Sequence, residues 1–145
     1  MSERRAFTIM VTGSRDWPDK QYVWRILDDI VARERSKDPD TFFVLLHGSA
    51  RGAGEFASAW ANRRGISERR VPAKWRELGR TAGLIRNRQM VEQGPDIVCA
   101  FRLNGSHGTG HAIGLAQAAG IETFVEERVT PPSPPPRKRL DGGVL

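Results

Sequence analysis

Three short segments of the sequence combine glycine with hydroxyl side chains in a way that could bind an anion. They span residues 12–17, 47–54 and 104–110, and each follows a run of apolar residues. Glycine lets the backbone turn tightly near a ligand, and free amides at the start of a following helix favour phosphate. One such segment is ordinary turn chemistry, whereas three at one sheet edge predict a ligand site.

Arginine and hydroxyl side chains in and near these segments would hold the anion. Arg15 lies in the first segment, and Arg86 with Asn87 lies in a helical pattern further along the chain. A guanidinium group binds phosphate through paired hydrogen bonds, although an arginine on a helix can equally face solvent. The predicted ligand-binding residues are Gly13, Ser14, Arg15, His47, Gly48, Ser49, Gly52, Arg86, Asn87, Ser106, Gly108 and Thr109.

Acid, base and stacking groups form a smaller set of candidates. His47 either contacts the ligand or caps its own loop. In an enzyme, Glu55, His47 or Asp16 would have to supply the acid or the base. Trp17 and Trp75 either stack on a base or cover the core.

Cysteine and glycine usage excludes several classes of protein. The single cysteine, Cys99, lies inside the apolar run of residues 97–101, so thiolates alone cannot form a metal site. We predict no metal site and no required cofactor, and the expected ligand is of the nucleotide type. Neither a Gly-x-Gly-x-x-Gly fingerprint nor a Walker A lysine pattern is present, which excludes ordinary dehydrogenases and P-loop NTPases.

Short apolar runs alternate with helical patterns along the chain. Strands are predicted at residues 6–11, 41–46, 67–71, 96–101 and 121–125. Helical spacing of apolar residues predicts four helices, around residues 23–31, 56–61, 82–93 and 112–119. This alternation predicts an α/β fold, a Rossmann-like three-layer sandwich whose parallel five-stranded sheet has the order 3-2-1-4-5.

The positive charge of the chain is concentrated in one segment. The net charge is +6, and residues 63–88 carry nine basic side chains against two acidic ones. This excess indicates either an anionic partner or a solvated basic face. We predict one domain at residues 1–129 and a disordered, proline-rich basic tail at residues 130–145. Since no apolar stretch reaches the length of a membrane span, we expect a cytoplasmic protein without membrane contact.

Together these motifs resemble the YspA-like, YpsA-related branch of the SLOG superfamily. That superfamily also contains the Lonely Guy phosphoribohydrolases and the DprA/Smf DNA-processing proteins. The resemblance implies a Rossmann-like fold and a pocket for a nucleotide-type ligand, lined by the loop after the first strand, residues 48–54, Arg86 with Asn87, and Gly108 with Thr109. The stretches that carry it are residues 11–17, 47–53, 60–61, 72–75, 79–90, 96–101, 108–109 and 116–121.

Two departures from the family pattern bear on function. The family usually has an aspartate where this chain has Gly54, and Glu55 follows it. The Lonely Guy enzymes place a catalytic glutamate soon after a Pro-Gly-Gly-x-Gly-Thr loop, whereas here no acid follows Thr109 until Glu122. Cleavage of a glycosidic bond needs a carboxylate near the anomeric carbon. The resemblance therefore favours ligand binding over phosphoribohydrolase activity.

The leading hypothesis is a binding or sensor protein for a small nucleotide derivative. The first alternative is a nucleotide-processing hydrolase that cleaves an N-glycosidic bond. The second is a DprA-like protein that binds nucleic acid through the basic residues 63–88. The oligomeric state stays open, with a homo-oligomer among the alternatives.

Overall fold

The protein is built around a parallel β-sheet. The structure, a computed structural model, describes residues 4–131 of the 145-residue chain. The sheet has the order β3-β2-β1-β4-β5, and every neighbouring pair of strands is parallel. The predicted α/β Rossmann-like fold and its 3-2-1-4-5 order are therefore confirmed. The strands are β1 (Ala6–Gly13), β2 (Phe42–His47), β3 (Ser67–Arg70), β4 (Ile97–Leu103) and β5 (Glu122–Arg128).

Four of the helices coincide with the four predicted from apolar spacing. The additional helix, α3, has four residues, none of them buried, and a 3₁₀ turn at Gly79–Thr81 follows it. A single helical turn is too short to show a periodic pattern, so the sequence did not predict it. The helices are α1 (Lys20–Lys37), α2 (Ala53–Arg64), α3 (Trp75–Leu78), α4 (Ala82–Glu92) and α5 (His107–Ala118).

Both faces of the sheet are covered by helices, which explains the continuous apolar runs of the central strands. Alternate side chains of a strand point to opposite faces. In β1, Ile9 and Val11 pack in the cluster that contains the apolar side chains of α1 and α2. Met10 packs in the second cluster, with Met90 of α4 and Ala112 of α5.

The order of the strands reverses between β1 and β4, the usual place for a ligand in such a sheet. From β1 the chain moves outward through β2 to β3, then crosses back to β4 on the other side. The loops after β1, β2 and β4 consequently meet at one edge of the sheet. Residues 132–145, the greater part of the predicted tail, lie outside the described residues, and the disorder of that tail stays a prediction.

Gly13, at the end of β1, allows α2 to start directly against the sheet. A Cβ atom added at Gly13 would lie 2.5 Å from Cβ of Ala53 and 2.9 Å from the backbone oxygen of Phe101. Contacts below 3 Å are not tolerated, and a backbone oxygen cannot change rotamer to relieve one. The glycine therefore has a packing role in addition to its role in the turn.

We expect Gly13→Ala to lower the free energy of unfolding by about 1–3 kcal/mol, the usual range for overpacking. The matched control is Gly114→Ala in α5, where an added Cβ meets no atom of residues 4–131 within 4 Å. Alanine there should stabilise the helix by about 0.5–1 kcal/mol. Urea unfolding measures both, and equal effects of the two substitutions would contradict the close contact at Gly13.

Candidate functional site

A pocket of about 670 Å³ opens where the loops after β1 and β4 face the start of α4. Its volume is in the range of small-molecule sites. Eight of the twelve predicted ligand-binding residues line it. These eight are Gly13, Ser14, Arg15, Arg86, Asn87, Ser106, Gly108 and Thr109.

The other four predicted residues lie elsewhere. Gly48 and Ser49 line a neighbouring cavity of about 350 Å³. Gly52 lines neither cavity: it has a left-handed φ of 78°, and an added Cβ would lie 2.3 Å from the backbone oxygen of Ser14. Gly52 therefore allows its own turn to pack closely against the backbone of the first loop. His47 also points away from the pocket.

Arg86 is the most informative side chain of the pocket because its hydrogen-bond partners are neutral. Its Nη1 donates to the backbone oxygen of Gly48 at 3.0 Å, and its Nε donates to Oδ1 of Asn87 at 3.1 Å. Among residues 4–131, no carboxylate pairs with it. Burial, together with the nearby charge of Arg15, lowers the pKa of Arg86 from its ordinary value. The charged guanidinium is thus held in a place where an anion would stabilise it.

Asn87 positions Arg86 and the start of α5 relative to each other. Its side chain is buried, so its polar atoms need partners. Oδ1 accepts the hydrogen bond from Arg86, and Nδ2 donates to the backbone oxygen of Gly108 at 3.0 Å. In the predicted Arg86–Asn87 pair, Asn87 therefore connects α4 to the start of α5, and Arg86 supplies the positive charge.

Two serines join the first loop to the third. Oγ of Ser14 accepts a hydrogen bond from the backbone N–H of Leu103 at 2.8 Å and lies 2.6 Å from Oγ of Ser106. Ser14 is buried, so these contacts are shielded from solvent. Both hydroxyl groups contribute to the shape of the pocket by holding its two sides together.

His47 faces α2 because it continues the alternation of β2. Phe43 and Leu45 point into the cluster shared with α1 and α2, and His47 is the next residue on that face. The backbone N–H of Ser49 donates to Nδ1 of His47 at 3.1 Å, so Nε2 carries the proton and donates to the carboxylate of Glu68 at 2.9 Å. Burial lowers the pKa of His47. It caps its own loop as a neutral side chain.

Glu55, another of the three predicted acid–base candidates, also lies outside the pocket. It is exposed on α2 and lines a separate cavity with His47. Gly54, one residue earlier, lines a small cavity of about 20 Å³ with Arg86, and an added Cβ there meets no atom of the described chain within 4 Å. Among the three acid–base candidates, only Asp16 lines the large pocket.

Several pocket residues lie outside the predicted ligand-binding set, although Trp75 was one of the two candidates for stacking on a base. Trp75 of α3 is 47% exposed, and the guanidinium of Arg15 lies over its ring at 5.2 Å from the centroid. Arg80, from the 3₁₀ turn, lines the pocket as well. The basic excess of residues 63–88 was a signal for Arg80, but its position depends on α3 and the 3₁₀ turn, which have no periodic signature.

Three further features of residues 4–131 concern metal ligands, membrane-spanning helices and the cysteine. Residues 4–131 contain no group of three or more His, Cys, Asp or Glu side chains placed to hold a metal ion. In the same range, no helix combines the length and the apolar character that crossing a membrane requires. Cys99 is buried, and burial raises the pKa of its thiol to about 12, so it is protonated at neutral pH.

The neutral state of His47 predicts a loss of stability in mild acid. Its pKa is lower in the folded protein, so the unfolded chain takes up the proton first as the pH falls below about 6.5. The free energy of unfolding should then fall, by up to about 1.4 kcal/mol per pH unit. His47→Asn keeps an acceptor near the Nδ1 position and should flatten this slope between pH 6.5 and pH 5.5. Urea unfolding measures the slope, pH 7.5–8.5 provides the baseline, and unchanged slopes in the variant would contradict this role.

Two comparisons with known proteins found similarity to this chain, and one of them names a family. Residues 7–77 match the YspA, cpYpsA-related SLOG family. The chain is also similar to the Gene 61 protein of Mycobacterium phage D29, with 39% identity over 118 residues that span 78% of this chain and 90% of the phage protein. The chain therefore belongs to the YspA, cpYpsA-related SLOG family, and this membership points to a nucleotide-related function.

Proposed function

We propose that the protein binds a nucleotide or a nucleotide-derived phosphate ligand in the large pocket, as a binding or sensor protein. The observation that carries the proposal is the environment of Arg86. Its guanidinium lines the pocket, and its hydrogen bonds go to a backbone oxygen and an amide oxygen rather than to a carboxylate. A phosphate is a good partner for such a group because it accepts two parallel hydrogen bonds from it.

The surroundings of Arg86 add to the attraction for an anion. Arg15 and Arg80 also line the pocket, and Asp16 is the one carboxylate in its described lining. The first turn of α5 lies in the wall, and the N-cap residue of this helix, Ser106, makes no capping hydrogen bond with its side chain. Its first backbone N–H groups, around Gly108, have no acceptor within the helix and are donors for phosphate.

Trp75 offers a surface for the nucleoside part of the ligand. A base that stacks on an aromatic ring gains about 1–3 kcal/mol and needs no particular sequence of donors and acceptors. The Trp75 ring is half exposed at the pocket and already has Arg15 over it. A ligand with a planar base and a phosphate therefore matches both the apolar and the charged parts of the wall.

Arg86→Ala should weaken the binding of a nucleoside monophosphate by about 1.5–3 kcal/mol, the range for a hydrogen bond to a charged group. This corresponds to roughly 10–150-fold in Kd. The matched control is Arg88→Ala, because Arg88 is an exposed arginine on the same helix and lines neither cavity. Isothermal titration calorimetry measures the dissociation constants, on variants whose melting temperature equals that of the wild type. Equal affinities of the Arg86 variant and the wild type would remove Arg86 from the site.

Gly54→Asp should weaken the same binding without removing any native group. The space beside Gly54 accepts a Cβ, and Gly54 shares its small cavity with Arg86. A carboxylate there would pair with the guanidinium and compete with phosphate for it. Gly54→Asn has nearly the same shape without the charge, so its affinity should stay close to that of the wild type. If the two variants bind the nucleotide equally well, Arg86 does not act through its charge.

The hydrolase alternative is supported by one specific observation, the position of Asp16 in the pocket wall. A carboxylate there could stabilise a ribosyl cation or activate water. Incubation with nucleoside monophosphates, NAD and ADP-ribose separates the two functions. Release of free base that Asp16→Asn abolishes would establish hydrolysis, and binding without release would leave the binding function.

A further inference from the structure

The second cavity adjoins the large pocket, and its described wall has the same number of arginines but no acidic side chain. Its volume is about 350 Å³, and Arg15, Trp75 and Arg86 line both cavities. Arg51, in the turn before α2, lines the second cavity but not the large pocket. No acidic side chain occurs in its described lining, so three guanidinium groups surround this space without a carboxylate.

Arg86 lies at the boundary between the two cavities. Its Nη1 donates to Gly48 on the side of the second cavity, while its Nε donates to Asn87 on the side of the large pocket. A Cβ at Gly48 would lie 2.3 Å from Nη1, so only glycine leaves room for the guanidinium at this place. Arg15, with Trp75, forms the other part of the boundary.

We propose that the ligand is a nucleotide with at least two linked phosphate groups, the first held by Arg86 in the large pocket and the second reaching Arg51 in the second cavity. The inference rests on the proposed function and goes beyond it by naming the class of ligand. Adjacent phosphates of a diphosphate share an oxygen, so the inner one can contact the boundary arginines while the outer one extends past them to Arg51. A single phosphate satisfies Arg86 and leaves the second cavity empty.

Arg51 suits the outer phosphate because nothing else in the described chain engages it. It is exposed, and no ion pair or side-chain hydrogen bond of Arg51 occurs among residues 4–131. Its neighbours in the cavity wall, Pro72 and Ala73, are uncharged and offer no competing carboxylate. The repulsion between Arg15 and Arg86, which contributes to the lowered pKa of Arg86, is also what two negative charges at this boundary would relieve.

The test compares mono- and diphosphates of the four ribonucleosides by calorimetry, without divalent cations, which would neutralise the phosphates. The wild type should bind the diphosphate of the preferred nucleoside about tenfold or more tightly than its monophosphate, the effect of one hydrogen bond to a charged group. Arg51→Gln should abolish this preference and leave the monophosphate affinity unchanged. Arg63→Gln, an equal change of charge at an exposed arginine outside both cavities, should keep the preference.

The outcomes separate this inference from the proposed function. Monophosphate binding that depends on Arg86 but gains nothing from a second phosphate would overturn the inference and retain the function. A diphosphate preference that survives in Arg51→Gln, or that Arg63→Gln removes equally, would overturn the role of Arg51. Absence of binding by every nucleotide tested would overturn both.

Discussion

The hydrogen bonds of Arg86 and Asn87 hold the candidate site together. Arg86 reaches the loop after β2 through the backbone oxygen of Gly48, and Asn87 reaches the first turn of α5 through the backbone oxygen of Gly108. One turn of α4 thus joins the loops that follow two different strands. Ser14 and Ser106 add the connection to the loop after β1. The pocket depends on these few polar contacts, because its walls come from segments far apart in the chain.

The burial of the Arg86 guanidinium costs free energy, and an anionic ligand would offset that cost. Burying a guanidinium is unfavourable unless a negative group accompanies it, and within residues 4–131 Arg86 has neutral acceptors only. Gly54, where the resembling family usually has an aspartate, leaves a gap on the side of Arg86. Proteins usually break a rule of stable packing where function requires it. We propose that a phosphate of the ligand supplies the missing charge.

Sequence reasoning predicted the fold because the strand signals were strong. The central parts of β1, β2 and β4 pack against helices on both faces of the sheet, and such strands are nearly continuous apolar runs. The ligand-binding residues were harder to predict, because glycine in a loop can serve packing as well as ligand binding. Gly52 serves packing beneath the first loop, and His47 follows the strand alternation toward α2 instead of the pocket. Arg80 depends on a single helical turn that no periodic pattern could reveal.

The most direct measurement of the central claim follows the Nε–Hε group of Arg86 by ¹H–¹⁵N NMR while a nucleoside monophosphate is added. The Arg86 signal is assigned by its absence in Arg86→Lys. We expect it to shift with ligand concentration, together with the backbone amides of Gly108 and Thr109, because all three line the pocket. A titration that leaves Arg86 unmoved, and that instead shifts signals around His47 and Glu55, would contradict the claim that Arg86 receives the phosphate.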